Sequence, residues 1–196
     1  MTAPHPGDGG WLSAARHCAS PNFGPRPEGT QISLGVIHSI SLPPGEYGGP
    51  AVEQLFTNRL DWDAHPYYAQ IRGLHVSAHL WVRRDGEPVQ FVSCDDRAWH
   101  AGRSAWRGRS QCNDYSVGVE LEGLEGTTFE TAQYATLATL IEALATRYPL
   151  EAVAGHEHVA PGRKHDPGAG LEWQRLADLL KGRSRHLRAA IAALDG

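Results

Sequence analysis

Residues 75–93, HVSAHLWVRRDGEPVQFVS, form two alternating apolar runs separated by Asp85-Gly86, a residue pair favoured in tight hairpin turns. A lone hairpin is not stable in water, so this stretch commits the chain to a larger sheet that something must cover. Two more strands are expected. QISLGVIHSI (31–40) is β-branched and apolar, is halted by SLPPGEYGG, and ends near His38. YSVGVELEG (115–123) sets Val117, Val119 and Leu121 on one face and Ser116, Gly118, Glu120 and Glu122 on the other. A brief strand in LEAVAGH then leads into His156.

Helices supply the cover. TAQYATLATLIEALATR (131–147) carries Tyr134, Leu137, Ile141 and Leu144 on one stripe and stops before Pro149. PAVEQLFTNRL and HPYYAQIRG have apolar residues at helical spacing, with Pro50 and Pro66 suited to a first turn. Residues 171–194 read as two helical stretches interrupted at Gly182, the second setting Leu187, Ile191 and Leu194 opposite a solvated face of Arg183, Arg185 and Arg188. In 196 residues this interleaving predicts one α/β domain, a central mixed β-sheet flanked by helices. Residues 1–30, rich in Pro, Gly and Ser, are expected to be an arm packed on that domain, pinned by Trp11 and Leu12. The domain itself is expected over 31–180, with a helical tail over 181–196.

Charge and cysteine content narrow the function classes. A formal charge of −4 provides no basic field for nucleic acid or an anionic membrane. No segment approaches the ~20 consecutive apolar residues that cross a bilayer. The N-terminal stretch lacks a basic start followed by a long apolar run. Cys18, Cys94 and Cys112 are widely spaced, with no C-x-x-C pair, and read as small buried or half-buried thiols. A cytoplasmic location is expected. Eleven histidines are the compositional oddity.

Chemistry concentrates in GHEHVAPGRKHDPG (155–168). A hydrolytic zinc site needs about three protein ligands and one open position. His156 follows a strand and Asp166 is held ahead of Pro167, so both can be fixed around one ion; His38, at the end of a buried strand, is the best-placed third ligand. Spacing leaves His158 and His165 open, because His158 shares a face with His156 if the segment is extended. Activating water also calls for a base and for a cation beside the developing oxyanion. Glu120 and Glu122 share a strand face, and Lys164 lies two residues before Asp166. Glu122 also fits a surface charge or a supporting hydrogen bonder.

Four ordered motifs, VIHSISLPPGEYGGP, HVSAHLWVRRDGEPVQFV, RAWHAGRSAWRGRSQCNDYSVGVELEG and GHEHVAPGRKHDPG, resemble the AmpD type of N-acetylmuramoyl-L-alanine amidase, from about Gly10 to Leu180. That family belongs to the zinc amidases related to T7 lysozyme and peptidoglycan recognition proteins. The resemblance implies one zinc ion per chain held by His38, His156 and Asp166, with Glu120 as general base and Lys164 as oxyanion stabiliser. It removes His158 from the ligand set, since similar enzymes commonly carry an aspartate there that binds no zinc. The implied reaction is hydrolysis of the amide between the lactyl group of (1,6-anhydro)-N-acetylmuramic acid and L-alanine, in peptidoglycan recycling. The expected partner is an anhydromuramyl peptide and the expected state a monomer. A non-catalytic muropeptide receptor on the same fold is the alternative.

Substrate contacts are expected from the stretch AWHAG, with Trp99 as an aromatic platform beside Ala98 and with His100 to Gly102 along the cleft. Tyr47, in the loop after His38, is expected to bound the pocket. Ser39 stands where close relatives usually carry Asn. His75 and Gln111 stand where relatives commonly have arginines for a stem-peptide carboxylate, and neither offers a guanidinium fork. Arg109, in the same segment, is expected to compensate.

Overall fold

The computed structural model describes residues 9–180 and Ile191. From the N-terminus, β1 (Arg16–His17) and β2 (Phe23–Gly24) precede β3 (Leu34–Ile40), and α1 (Ala51–Phe56) and α2 (Pro66–Gln70) lead to β4 (Leu80–Val82) and β5 (Pro88–Gln90). Three short strands, β6 (Arg97–Ala98), β7 (Ala105–Trp106) and β8 (Arg109–Ser110), and one helical turn, α3 (Cys112–Tyr115), come before β9 (Ser116–Glu122). Next come α4 (Thr131–Arg147), β10 (Ala152–Gly155), α5 (His156–Val159) and α6 (Trp173–Leu180).

The six-stranded sheet has the order β1-β5-β4-β9-β3-β10. Only β4 and β5, the hairpin around Asp85-Gly86, pair antiparallel; every other neighbouring pair is parallel. Gly86 takes φ +89, the left-handed conformation this turn demands. Parallel strands are covered on both faces, and all seven residues of β9 are buried. The polar face of β9 is therefore interior, and Glu122 is no surface charge. Its carboxylate accepts the backbone N–H groups of Gly48 (2.5 Å) and Arg84 (2.9 Å), tying two loops to the sheet.

One sheet face packs on α4. Tyr134, Leu137, Ile141 and Leu144 join Val117, Val119 and Leu121 of β9 in a single core with Leu176 and Leu180 of α6. Truncating one of these leucines to alanine costs about 2–5 kcal/mol. Glu130 and Gln133 form a capping box at the start of α4, and Gln133 Nε2 also donates to the carbonyls of Val82 and Glu122. On the other face Trp81, Phe91, Leu55, Phe56 and Tyr68 make a second core.

The N-terminal segment is built into this frame. β1 adds in parallel to β5, Leu12 is buried, and Gln90 fastens the approach by accepting from Leu12 N and donating to Gly10 O. Arg26 reaches inward and donates to the carbonyls of Asn113, Asp114, Cys94 and Ser116. All three cysteines are free, Cys94 and Cys112 buried and Cys18 half-buried. Of the tail expected over 181–196, Ile191 is helical and shares the α4 core; Gly182, Arg183, Arg185, Leu187, Arg188 and Leu194 lie outside the described residues. No described helix is long and apolar enough to cross a membrane.

Candidate metal centre and catalytic cleft

Val119, Ile37 and Gly155 stand in register on the parallel strands β9, β3 and β10. The residues that follow them, Glu120, His38 and His156, therefore form a row toward the carboxyl ends of neighbouring strands, where open α/β sheets present their ligands. Asp166 joins from the loop after α5, its carbonyl accepting from Glu157 N at 2.9 Å. Three atoms then converge: His38 Nδ1 to His156 Nδ1 is 2.9 Å, His156 Nδ1 to Asp166 Oδ2 is 3.1 Å, and His38 Nδ1 to Asp166 Oδ2 is 3.3 Å. Tetrahedral zinc with bonds of about 2.0–2.2 Å sets its ligands about 3.3–3.5 Å apart, so this triangle is close to the size a zinc ion needs. Among the described residues it is the one cluster of His, Cys, Asp or Glu able to hold a metal.

Electrostatics favour the ligand forms. Burial pulls the His38 pKa down to about 4, against the pull of the adjacent Asp166 carboxylate, which leaves a neutral imidazole at pH 7. Burial alone would push the Asp166 carboxyl up, but the close approach of the His156 and His38 rings outweighs it and holds the group well below the usual carboxylate range. His156 Nε2 lies 3.2 Å from the carbonyl of Ala101, which only accepts, so the ring proton sits there and Nδ1 offers its lone pair to the centre.

Glu120 lies beside this triangle, with Oε1 4.0 Å from His38 Nδ1. Its other oxygen is buried and has no hydrogen-bond partner. Burial first, and the charge of Asp166 second, raise its pKa well above the usual carboxylate value, with Lys164 opposing. Trp81 of β4, fully buried, stands in register with Glu120. Lys164 is exposed and lines the same cleft, a cavity of about 470 Å³. Leu55, Phe56, Ile71, Leu74 and Val76 form part of its apolar side.

Ser39 and Trp99 also line the cleft, and Ser39 Oγ is buried without a partner. The other five residues expected at the substrate are not in its lining. Ala98 is buried in β6. Tyr47 stacks under Arg84, whose guanidinium carbon is 4.5 Å from the ring centre. His75 is exposed and hydrogen-bonded to Asn58. Arg109 is drawn onto the ring of Tyr115 at 3.9 Å, and Gln111, at φ +61, stands immediately before α3 and makes no side-chain capping bond. Nor is residue 158 on an extended segment with His156. Residues 156–159 form a helical turn, and His158 Nδ1 folds back to accept from Gly155 N at 2.9 Å.

His100, expected along the cleft, lines it, and it also makes a contact that the sequence did not suggest: its Nδ1 lies 2.9 Å from His38 Nε2. Burial lowers the His100 pKa well below its ordinary value, with the nearby imidazoles adding to the shift. Gly118 was the available signal, since a Cβ there would come within 2.5 Å of the His100 ring.

A family model described as N-acetylmuramoyl-L-alanine amidase matches residues 28–169. The chain belongs to the N-acetylmuramoyl-L-alanine amidase family. It is 51% identical over 175 residues to the 1,6-anhydro-N-acetylmuramyl-L-alanine amidase AmpD of Citrobacter freundii, a match covering 88% of this chain and 94% of that relative. A crystal structure of a selenomethionine derivative of AmpD superposes with a TM-score of 0.86 at 51% identity, over 88% of this chain and 97% of that one. The amidase AmiD from E. coli, solved with the substrate anhydro-N-acetylmuramic acid-L-Ala-D-gamma-Glu-L-Lys, superposes with a TM-score of 0.56 at 30% identity, over 79% of this chain and 60% of that one. This amidase thus has the enzyme class and the mixed, helix-flanked sheet that its motifs indicate.

Proposed function

We propose that this amidase hydrolyses the amide between the lactyl group of 1,6-anhydro-N-acetylmuramic acid and L-alanine, using one zinc ion held by His38, His156 and Asp166. The observation that carries the reading is the triangle of 2.9, 3.1 and 3.3 Å set beside an unpartnered buried carboxylate oxygen. The names of the AmpD relative and of the AmiD complex support the substrate class. Zinc bound there supplies a Lewis acid that polarises the amide carbonyl and acidifies water.

The chain's own residues do the rest. Glu120, a stronger base than an ordinary carboxylate, takes the proton of the attacking water as its oxygen bonds to the carbonyl carbon. The negative charge that develops on the carbonyl oxygen is met by the ammonium of Lys164. As the C–N bond breaks, Glu120 hands the proton to the alanine nitrogen, which leaves as the amine of the free peptide. Trp99 contacts the substrate with a ring face, while Ser39 borders the cleft with its hydroxyl oxygen buried.

In this reading residues 31–180 are the catalytic unit, 1–30 an arm and 181–196 a tail, and the protein works as a cytoplasmic monomer in peptidoglycan recycling. The test is to incubate the zinc-loaded protein with an anhydromuramyl tripeptide and follow free tripeptide by mass spectrometry. Release of the tripeptide is expected. Tight binding without release, at one zinc per chain, would replace the enzyme reading with that of a muropeptide receptor.

A further inference from the structure

We propose that His100 is a positioning residue that fixes the tautomer of His38, so that the Nδ1 lone pair of His38 faces the metal centre; the proposal rests on the zinc reading above. The direction of the hydrogen bonds is set from the far end of a relay. Ser116 Oγ lies 2.6 Å from the carbonyl of Cys112, which only accepts, so the hydroxyl hydrogen is committed there. Its oxygen is left to accept from His100 Nε2, 3.2 Å away. With that proton on Nε2, the neutral His100 ring keeps Nδ1 as an acceptor. His38 Nε2, at 2.9 Å, must then be the donor, and its Nδ1 carries no hydrogen.

The surroundings hold the relay in place. β9 passes beneath the His100 ring as bare backbone at Gly118, and the backbone N–H groups of His100 and Ala101 donate to Asn113 Oδ1 at 3.3 and 2.8 Å. Ala101, the next residue, performs the matching task for His156 through its carbonyl. Arg163 donates to the carbonyls of Ala101 and Arg103, both at 2.7 Å, and so ties this loop to the segment that carries Asp166. Two consecutive residues of one loop therefore orient both imidazoles. Partners of this kind are worth about 10–100-fold in metal affinity.

The test reads tautomers and affinity, not turnover. In ¹⁵N-histidine NMR spectra of the full-length, zinc-loaded protein, His100 is expected to be neutral, protonated at Nε2 and bare at Nδ1; a proton on Nδ1 overturns the proposal. In competition with a chromophoric chelator, His100→Phe, which keeps a ring and loses the acceptor, is expected to bind zinc about 10–100-fold more weakly. His100→Asn, whose Oδ1 can take the place of Nδ1, is expected to recover most of that loss. Wild-type affinity in a folded His100→Phe overturns the proposal. If that variant does not fold, Ser116→Ala serves: a smaller loss of affinity with mixed His100 tautomers is expected, and an unchanged affinity and tautomer overturns it. A wild-type protein that takes up no zinc would instead remove the metal reading, and the spectra still report the His100 tautomer.

Discussion

His38 and Glu120 are directly opposite each other on β3 and β9, with His38 Nδ1 4.0 Å from Glu120 Oε1. The carboxylate therefore stands within reach of any water held at the ligand triangle, yet makes no bond that would tie up its second oxygen. Glu120→Gln preserves the shape and removes the base. Its kcat is expected to fall by ~10²–10⁴-fold, with zinc content unchanged by atomic absorption. Turnover at the wild-type rate would take the base role away from Glu120.

The same burial predicts a pH-dependent stability difference. Glu120 has a folded-state pKa raised well above its ordinary value of 4.5, so the folded state favours the protonated acid. Below pH 4.5 folded and unfolded chains both carry it neutral, and nothing is lost. As pH rises past that value the unfolded chain ionises first, and the group's contribution to stability disappears as pH climbs through the folded pKa. Metal-free Glu120→Gln is thus expected to melt above the metal-free wild type at pH 7, with the gap closing toward pH 4. Parallel thermal melts at the two pH values measure it.

Lys164 is an exposed residue at the cleft, so its removal should leave the fold alone. Lys164→Ala is expected to lose ~10²–10³-fold in kcat, the scale of one oxyanion-stabilising group. Urea midpoints should match those of the wild type, and Lys164→Arg should retain part of the activity. Steady-state kinetics beside a denaturation curve separate the two effects.

Gly118→Ala tests the close approach of β9 to His100. The new methyl would sit 2.5 Å from the ring, with the strand fixed on both sides by β3 and β4. Overpacking of this kind costs about 1–3 kcal/mol, to be read from the urea midpoint. Zinc affinity is expected to fall as well, because the ring has to move off His38.

What the sequence made legible was local and periodic. The helix expected over 131–147 forms with those bounds, since a 3.6-residue stripe and Pro149 fix it without outside help. The hairpin turn at Gly86 follows from the alternation of its two arms, and the strand carrying His38 from a β-branched, apolar run halted by SLPPGEYGG. His38, His156 and Asp166 do converge, which the strand ends and the Asp-Pro turn allow. What could not be read depends on distant partners. Glu122 is buried because Gly48 and Arg84, 74 and 38 residues away, supply donors. His100 meets His38 across 62 residues, and Arg109 leaves the cleft for the ring of Tyr115. The turn at 156–159 is too short to show a period, so the orientation of His158 was undetermined by spacing.

The pairing of β1 with β5 bears on how the molecule behaves in a crowd. Without Arg16 and His17, β5 would be the rim of the sheet, offering unpaired backbone groups to any strand that came along, including one from another copy. In its place the rim is two residues long, exposed, and headed by an arginine held between Glu53 and Glu87. The N-terminal segment, far from the cleft in role, is a guard against edge-to-edge aggregation.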